Sequence, residues 1–599
     1  MKRLLLLGCL ALALSCTDSN DDNGPRDAGS QSDAATPSDA GGQGDAQPGD
    51  GGTCVPTCAA GQGCGNDGCN TDTCGICAAN EICRPDLTCA VPAPETYLAV
   101  VNDSETISNC MAPCAVQFDV QAAENLSWAQ VRDGRFIWNF DDGGSTADSE
   151  GFLAATVYET PGTYQPTVTV NGQTWTAQTI QVTAPDWVGC VSPPSLGVGR
   201  FDDCPDSTHH YDDLNAALGA ASGSFHVLLD RASAASYGNL PENAGKPSMI
   251  GAYGAEVTLP KVGTADARPR SNWRYVDLDI TVSGDAGIGF VNGFGVLLLR
   301  VNSHGTTKYN HMAADDGFFL IDSRFRGNDY VLIGGDVVRP TAKGSTFVRT
   351  VEGQSTFRMS GGKKELYQNC SFDCDGCGSQ IGLTIRANTD WVLVQGNTFL
   401  ENAGAAADAG DPNVTHRYII WERNLYDLRT AEQNFQNAFS MRDSVIRNNV
   451  LLDPASGGAG VAIAVGTVSG EDSGNVWVTN NTIIQSNPDK MAVLLDCVLG
   501  GCVNTNNLMF STGSSFDKCF SGGTLSNNWC YSSNYCLNPN GSTTPCSAPS
   551  FVSTDPTSAD FARPAANTVG INAGDQTVPV FDDYFGAPRS MIDVGAVER

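Results

Sequence analysis

The chain has 599 residues, with 66 acidic and 34 basic side chains and a formal net charge of −32 at pH 7. This balance argues against nucleic acid as a partner, because phosphate binding depends on an excess of lysine and arginine. The length predicts about four domains of ~150 residues each. By composition the chain divides into a leader, a tether and three folded units.

Residues 1–16 are predicted to be a secretory signal. A basic start precedes an apolar run, residues 4–14, which is too short to span a bilayer as a mature helix. The run ends in Ala-Leu-Ser-Cys at Cys16 and resembles the lipobox of bacterial lipoproteins. The resemblance implies export, acylation of Cys16 and a place at the outer membrane or cell surface, held by lipid alone. The alternative is an ordinary signal peptide cut nearby, which would leave Cys16 free.

Two short segments follow the leader. Residues 17–53 are mostly Asp, Gly, Ser, Ala, Pro and Gln without an aromatic residue, and therefore predict a disordered tether. Residues 54–92 contain eight cysteines, an even number that in an exported chain predicts four disulfides in a small module. Zinc is the alternative for this module, because Cys74 and Cys77 form a C-x-x-C pair.

Residues 96–184 alternate apolar and polar side chains between turn residues, which predicts a small β-sandwich. The sequences W-N-F-D-D-G at 138–143 and V-Y-E-T-P-G-T-Y at 157–164 resemble the PKD (polycystic-kidney-disease) domain. This resemblance implies an immunoglobulin-like extracellular spacer, of the kind found beside carbohydrate-active or adhesive modules. Cys110 and Cys114 are predicted to form a local disulfide.

Residues 187–599 are predicted to form one right-handed parallel β-helix. Between residues 392 and 530 a six-residue pattern with Asn at its fourth position and apolar residues around it recurs at intervals of 27, 25, 32, 26 and 21 residues. Such a period without helical stretches is typical of a solenoid of short stacked strands. Asn tolerates the left-handed backbone of a tight bend, and its amide can bond to its copies above and below. The repeated positions are Asn397, Asn424, Asn449, Asn481, Asn507 and Asn528.

Both ends of the solenoid carry signals of their own. Residues 211–218 predict a short amphipathic helix that caps the first coil, with Cys190 and Cys204 as a disulfide beside it. The sequence D-V-G-A-V-E at 593–598 resembles the end of many bacterial β-helix surface proteins. The mature chain has an odd number of cysteines, so one should remain free. The candidates are Cys370, Cys374 and Cys377.

The architecture resembles the pectin-lyase-like proteins, many of which hold an extended polysaccharide on one flat face of the β-helix. Three short strand patterns each end in an arginine, Arg358, Arg386 and Arg442, and predict a column of guanidinium groups on that face. Such a column would bind uronate or sulfate groups through bidentate contacts. The alternative is that these arginines only pair with the abundant surface carboxylates.

Catalysis by elimination is a second interpretation. Removal of a proton from a uronate glycan needs a base, an acid and a cation that stabilises the developing carboxylate charge. Lys363 or Lys364 together with Arg386, 22 to 23 residues apart, are the catalytic candidates because this spacing could place them on adjacent coils. The acidic residue and serine that β-helix lyases place near the lysine do not line up here.

Hydrolysis is the weaker enzymatic alternative. The acid pair at 315–316, with His304 or His311, offers the residue types of a pectin hydrolase, but the motifs of that family do not occur in order. A solvated turn explains the pair better. Asp373 and Asp375 offer oxygen ligands for Ca²⁺, although neither interpretation requires a cofactor.

These patterns together predict an all-β, lipid-anchored surface protein. A disulfide-rich module and an immunoglobulin-like sandwich precede the β-helix. We favour binding of an extracellular polysaccharide, or adhesion, because the sequence yields no complete catalytic set. The alternative is a polysaccharide lyase or glycoside hydrolase acting on an acidic glycan, since architecture alone does not decide function.

Overall fold

The structure is a computed structural model. It describes residues 82–83, 89–90, 95–98, 105–121, 126–143, 148–192, 194–197, 200–230, 247–253, 257–259, 273–327, 330–350, 355–374, 380–400, 403–407, 416–428, 437–452, 461–466, 473–485, 491–511, 519–532, 536–537, 548–566, 568 and 570–599. The predicted signal with Cys16, the tether and most of the cysteine-rich module lie outside these residues. From that module the structure describes the antiparallel strands Ile82–Cys83 and Cys89–Ala90.

The predicted β-sandwich is present. Its core contains the aromatic residues of the first PKD-like sequence, since the Phe118 ring lies 5.0 Å from Trp138 and 5.4 Å from Phe140. Tyr158, from the second such sequence, donates its hydroxyl to the Phe140 carbonyl at 2.9 Å. A capping box begins the short helix Trp128–Arg132. The strands are Glu95–Leu98, Cys110–Met111, Cys114–Asp119, Phe136–Asn139, Ser149–Glu150, Leu153–Tyr158, Gly162–Tyr164, Thr167–Val170, Gln173–Thr176 and Ile180–Thr183.

A helix caps the first coil of the solenoid, as predicted. It spans Leu214–Ala220, and it starts later than the sequence indicated because the Asp213 side chain accepts the Ala216 N–H and sets the helix start. Leu214 and Ala217 are buried against the first strands. A 3-10 turn, Pro194–Leu196, precedes this cap.

The solenoid follows as a single sheet of 32 described strands wound into coils, parallel throughout except for its last strand, Cys536–Leu537, which pairs antiparallel with Trp529–Tyr531. This confirms the predicted all-β parallel β-helix. The strands are Trp187–Val191, His210–Tyr211, Phe225–Asp230, Ser248–Tyr253, Val257–Leu259, Trp273–Val276, Leu278–Leu299, Asn302–Ile321, Arg324–Gly327, Tyr330–Val338, Thr341–Lys343, Thr346–Arg349, Ser355–Gln368, Ser371–Cys374, Gln380–Gln395, Thr398–Leu400, Ala403–Ala407, His416–Glu422, Leu425–Asp427, Asn437–Phe439, Arg442–Arg447, Val450–Leu452, Val461–Val465, Gly474–Thr479, Thr482–Gln485, Met491–Leu495, Val503–Thr505, Leu508–Ser511, Phe520–Ser521, Thr524–Ser526, Trp529–Tyr531 and Cys536–Leu537.

Each coil contributes to three faces, which we call sheets A, B and C. Sheet A contains residues 366–368, 392–395, 419–422 and 445–447 and their equivalents in other coils. Sheet B follows sheet A in each coil and contains residues 371–374, 398–400, 425–427 and 450–452. Sheet C closes the coil and contains residues 355–360, 380–385, 403–407 and 437–439.

The repeated asparagines form a buried ladder at the corner between sheets A and B. Asn449 Oδ1 accepts the backbone N–H and the side-chain amide of Asn424 at 2.9 and 3.0 Å. Its own Nδ2 donates to Asn481 Oδ1 at 2.9 Å and to the Trp421 carbonyl at 3.0 Å. Equivalent amide contacts link Asn397, Asn424, Asn449, Asn481, Asn507 and Asn528.

The sharp bend falls one residue earlier than the sequence indicated. Six residues directly before the ladder have left-handed backbones, with φ between 48° and 67°. They are Gly396, Arg423, Asn448, Asn480, Asn506 and Asn527. The prediction that one Asn performs both tasks was therefore wrong, because the ladder residue must direct its amide into the stack while its predecessor turns the chain.

Two predicted disulfides and the predicted free cysteine are confirmed, whereas the pairing within the cysteine-rich module stays a prediction. Cys110 pairs with Cys114, and Cys190 pairs with Cys204. Cys370 is free and buried. Two further disulfides, Cys497–Cys502 and Cys519–Cys530, lie near the end of the solenoid.

The sandwich packs along the outer face of sheet A. The cluster that contains its core also contains outward side chains of sheet A, from Leu228 in an early coil to Val445 in a late one. These positions are apolar, and burying them against the sandwich removes them from water. The resemblance implied a spacer, whereas the structure fixes this domain to the solenoid over many coils.

The C-terminal residues 548–566, 568 and 570–599, which we call the C-terminal segment, cover part of sheet B. Val450 and Leu452 on its outer face are buried against Phe561, Ala596 and Val597. The bend asparagines hold the same segment, because their Nδ2 groups donate to its carbonyls. These bonds join Asn448 to Asp582, Asn480 to Asp593, Asn506 to Asp575 and Asn527 to Ala573. None of the described helices is long and apolar enough to cross a bilayer.

Candidate functional site

The corner between sheets C and A carries a column of charged side chains. Lys363 pairs in register with Asp390 on the next coil, Asp390 with Arg417, and Arg417 with Arg442. We call these four residues the corner strip. Lys363 and Arg417 are exposed, and Asp390 and Arg442 are partly exposed. The strip therefore lies at the surface, with neighbouring charges on coils about 4.8 Å apart.

Asp390 orients the guanidinium of Arg417. Arg417 Nε lies 3.2 Å from Asp390 Oδ1, with the two side chains 44% and 23% exposed. This hydrogen bond raises the pKa of Arg417 above its ordinary value. Pairs at this exposure contribute about 1 kcal/mol or less to stability. The main consequence is a fixed guanidinium direction on a strip that holds three cations and one carboxylate.

An aromatic pair lies directly beside the strip. The residue after each strip residue has a left-handed backbone, with φ between 44° and 62°. These residues are Lys364, Trp391, Tyr418 and Asp443. Trp391 and Tyr418 stack with ring centroids 4.4 Å apart, and Arg417 Cζ lies 5.5 Å from the Tyr418 ring. Trp128 of the sandwich packs 5.6 Å from Tyr418, so both domains hold this pair in place.

The two candidate lysines lie in different environments. Lys364 Nζ lies 2.7 Å from Asp119 Oδ2 of the sandwich, with the side chains 19% and 1% exposed. Gln117 Nε2 also donates to the Lys364 carbonyl at 3.0 Å. Lys364 thus joins the sandwich to the solenoid, whereas Lys363 is exposed on the corner strip.

The three predicted glycan-binding arginines do not share one column. Arg358 pairs in register with Thr384, Arg386 with Ser360, and Arg442 with Arg417. Arg358 and Arg386 therefore stand at two positions of sheet C, and Arg442 stands at the corner strip.

The buried residues of sheet C explain this difference. Met359, Ile385 and Phe439 occupy equivalent positions of the coils and are buried. The three arginines come one residue before, one residue after and three residues after these positions. Similar short sequences thus differ in register, because the stacking of buried side chains decides which residues align.

The catalytic pairing of a lysine with Arg386 stays a prediction. Their strands, Ser355–Gln368 and Gln380–Gln395, are neighbours as expected. Within these strands Lys363 is opposite Asp390, while Arg386 is opposite Ser360 on sheet C. The side chain of Arg386 lies outside the described set.

The metal prediction also stays open. Asp373 is partly exposed on the sheet B strand Ser371–Cys374, and Asp375 lies outside the described residues. Among the residues that the structure describes, no group of three or more His, Cys, Asp or Glu side chains could hold a metal ion.

The hydrolase candidates lie mainly in one strand. Residues 315–316 and His311 belong to the strand Asn302–Ile321, which the sequence had suggested to contain a turn, and their side chains lie outside the described set. His304 lies near the start of this strand, and its Nε2 is 2.7 Å from Asp279 Oδ1. The structure thus gives His304 a carboxylate neighbour other than the pair at 315–316.

Sequence reasoning missed Asp390, Arg417 and the aromatic pair. A signal for them exists, because each strip residue stands seven positions before a corner residue of the ladder column. Lys363 precedes Cys370 by this distance, and Asp390, Arg417 and Arg442 precede Asn397, Asn424 and Asn449. Counting back from each repeated asparagine would have aligned the strip.

No protein-family model matches the chain, and no curated protein matches it in sequence. Among solved structures it is similar to the pectate lyase Pel9A, with a TM-score of 0.28 and 14% identity over 69% of this chain and 97% of that chain. It is also similar to a family 28 exopolygalacturonase from Yersinia enterocolitica, with a TM-score of 0.29 and 10% identity over 74% of this chain and 99% of that chain. The strand pairing, rather than these similarities, establishes the parallel β-helix.

Proposed function

We propose that the β-helix binds an acidic extracellular polysaccharide along the corner strip. The observation that carries this proposal is the alignment of Lys363, Arg417 and Arg442 with Asp390 on consecutive coils, beside the stacked Trp391 and Tyr418 rings. Cations at regular intervals suit a polymer whose carboxylate or sulfate groups also recur.

The physical match depends on spacing and on chemistry. Coils repeat at about 4.8 Å, close to the length of one sugar unit, so a glycan lying along the solenoid axis meets successive strip residues. Arg417, held by Asp390, offers directed N–H donors to a planar carboxylate. The aromatic pair, which is partly exposed, adds apolar surface beside the strip.

The proposal includes the export and anchoring that the leader indicates. An acylated Cys16 followed by the tether of residues 17–53 would hold the folded domains away from the membrane. The PKD-like sandwich, fixed along sheet A, would then present the corner strip as part of one rigid unit. Adhesion to a polysaccharide matrix is the role that this arrangement supports best.

The test is a binding measurement on the full chain with polygalacturonate, alginate and chondroitin sulfate, and with dextran as an uncharged control. A variant with Lys363→Ala, Arg417→Ala and Arg442→Ala should bind the acidic polymer about 30-fold more weakly, since each exposed contact contributes up to ~1 kcal/mol. Arg324→Ala is the matched control, because Arg324 is an exposed arginine of sheet B. It should bind like the parent chain.

Two results would refute binding at the strip. One is equal affinity of the triple variant and the Arg324→Ala control, and the other is equal binding of dextran and acidic polymers. The same samples test the lyase alternative, because elimination creates an unsaturated uronate that absorbs ultraviolet light. If the parent chain releases such products and Lys363→Ala or Arg386→Ala does not, the protein is a lyase and the proposal of adhesion is wrong.

A further inference from the structure

A buried ionic junction joins three parts of the chain at the corner between sheets A and B. Arg423, at a left-handed bend of the solenoid, directs its Nη1 toward Glu150 of the sandwich. The same nitrogen lies 3.4 Å from Asp582 Oδ2 of the C-terminal segment. The Arg423 side chain is 11% exposed and that of Asp582 is 14% exposed. Two carboxylates from different parts of the chain therefore share one guanidinium nitrogen.

Further charged groups surround this junction. On sheet A, Glu422 Oε2 lies 2.6 Å from Arg447 Nε, so these two residues largely satisfy each other. From the sandwich, Arg135 lines the same small cavity. On the C-terminal segment, Arg589 Nε donates to the Asp582 carbonyl at 2.8 Å.

The backbone of the C-terminal segment is held close to Arg423. Asn448 Nδ2 donates to the Asp582 carbonyl at 2.9 Å. Gly586 has φ +78°, and a Cβ atom there would stand 2.9 Å from Arg423 Nη1. The carboxylate of Asp582 is thus held in the junction by the backbone at Asp582 and at Gly586.

We propose that Glu150, Arg423 and Asp582 form a proton-dependent latch, which holds the C-terminal segment on the solenoid more tightly at acidic than at neutral pH. When Asp582 is protonated, Arg423 forms an ion pair with Glu150 alone, and the junction buries no second negative charge at Asp582. When Asp582 is ionised, two carboxylates compete for Arg423 beside the negative charge of Glu422.

The direction follows from the electrostatics of the held and released states. Burial raises the pKa of Asp582 to about 6 against an ordinary value of 3.8, with Arg423 opposing and Glu422 adding to the rise. The latch contribution is therefore fully present below the ordinary pKa and is lost as pH rises through about 6. The difference between these two pKa values corresponds to about 100-fold in the opening equilibrium.

One other carboxyl of the segment acts in the same direction. Burial raises the pKa of Glu598 to about 6, while its partner Arg589 opposes the rise. Asp583 and Asp593 also interact with Arg589. Release of the segment would expose the apolar outer face of sheet B that includes Val450 and Leu452.

Hydrogen exchange of the full chain at pH 5 and pH 8, corrected for intrinsic rates, tests the latch. The Gly595 and Ala596 N–H groups report on the segment, because they donate to Asn506 O and Thr482 Oγ1 of the solenoid at 2.8 Å. Their protection should fall by about 100-fold or more between the two pH values. In Asp582→Asn, which cannot ionise, the fall should be about tenfold or less, with Glu598 responsible for the remainder.

Asp560→Asn is the matched control, because Asp560 belongs to the same segment but to an exposed pair with Arg563. It should behave like the parent chain. The proposal is overturned if the parent chain changes less than threefold, or if Asp582→Asn retains the parental change. Should Asp582→Asn fail to fold, Glu150→Gln decides the matter. In this variant Asp582 is the remaining charged partner of Arg423 in the latch, so the loss of protection should occur at lower pH. An unchanged transition would refute the latch.

Discussion

At the scale of single residues, the solenoid separates two properties of asparagine. The bend residue needs a left-handed backbone, which Gly396, Arg423 and Asn448 all adopt. The ladder residue needs an amide that both donates and accepts, and here Asn449 makes four buried hydrogen bonds. The ladder is therefore the more restrictive of the two positions.

Substitution of Asn449 tests that restriction. Asn449→Ala should lower the free energy of unfolding by about 2–4 kcal/mol, because buried groups of Asn424, Asn481 and Trp421 lose their partner. Asn449→Ser should cost about half as much, since a serine hydroxyl can still accept the neighbouring N–H. Ser323 does so in an earlier coil, where it accepts the Val301 N–H at 3.0 Å. Urea unfolding measures both, and equal costs for Ala and Ser would contradict this account.

At the scale of elements, the contact between the sandwich and sheet A is both apolar and ionic. Arg274 on sheet A is fully buried, with Nη2 2.6 Å from Glu105 Oε1 and Nε 2.8 Å from the Pro113 carbonyl. Arg300 makes the corresponding contact with Glu159 where both side chains are about half exposed or less, at 37% and 50%. The same residue types thus occur in two environments of one interface.

These two arginines should differ in their effect on stability. Arg274→Ala should destabilise the chain by about 3–5 kcal/mol, because it removes the guanidinium from a buried carboxylate. Arg300→Ala should cost less than about 2 kcal/mol, because water screens both of its pairs, with Glu159 and with Asp277. Thermal unfolding in the same buffer compares them directly. Similar values for both would show that burial does not govern this interface.

At the scale of the whole molecule, the free energy of unfolding should fall as pH rises, because a carboxyl group is buried inside the solenoid. Glu365 is fully buried and accepts the Tyr367 hydroxyl at 2.6 Å. Burial raises the pKa of Glu365 from 4.5 to about 7, with this hydrogen bond opposing the rise. Repulsion within a chain of net charge −32 also grows as carboxyl groups ionise.

The pH profile of unfolding tests this interior carboxyl. The stability that the protonated Glu365 provides should be lost as pH rises from about 4.5 through about 7, a change of about 3 kcal/mol. Glu365→Gln should remove that part of the slope. The control is Glu159→Gln, which changes an exposed carboxylate and should keep the parental slope. A parental slope in Glu365→Gln would show that this carboxyl is ionised in the folded chain.

Several features followed from short-range patterns. The repeat between residues 392 and 530 predicted the coils and the ladder, because each coil must bury its apolar residues against the next one. The cap helix and the pairs Cys110–Cys114 and Cys190–Cys204 were equally accessible, since their partners are close in sequence. The sequence identified Lys363 and Arg442 as candidates, but it did not predict that they lie in one column.

The remaining features depend on contacts between distant residues. Loops of unequal length separate the coils, so the register that brings Asp390 and Arg417 between Lys363 and Arg442 is decided by the stacking of buried side chains. Which sheet is covered depends on where the sandwich and the C-terminal segment dock. Amino-acid order alone thus determined the coiled architecture, whereas folding in three dimensions decided the corner strip and the Arg423 junction. The reason is that periodic burial is a local property, while charge neighbourhoods form only when distant segments meet.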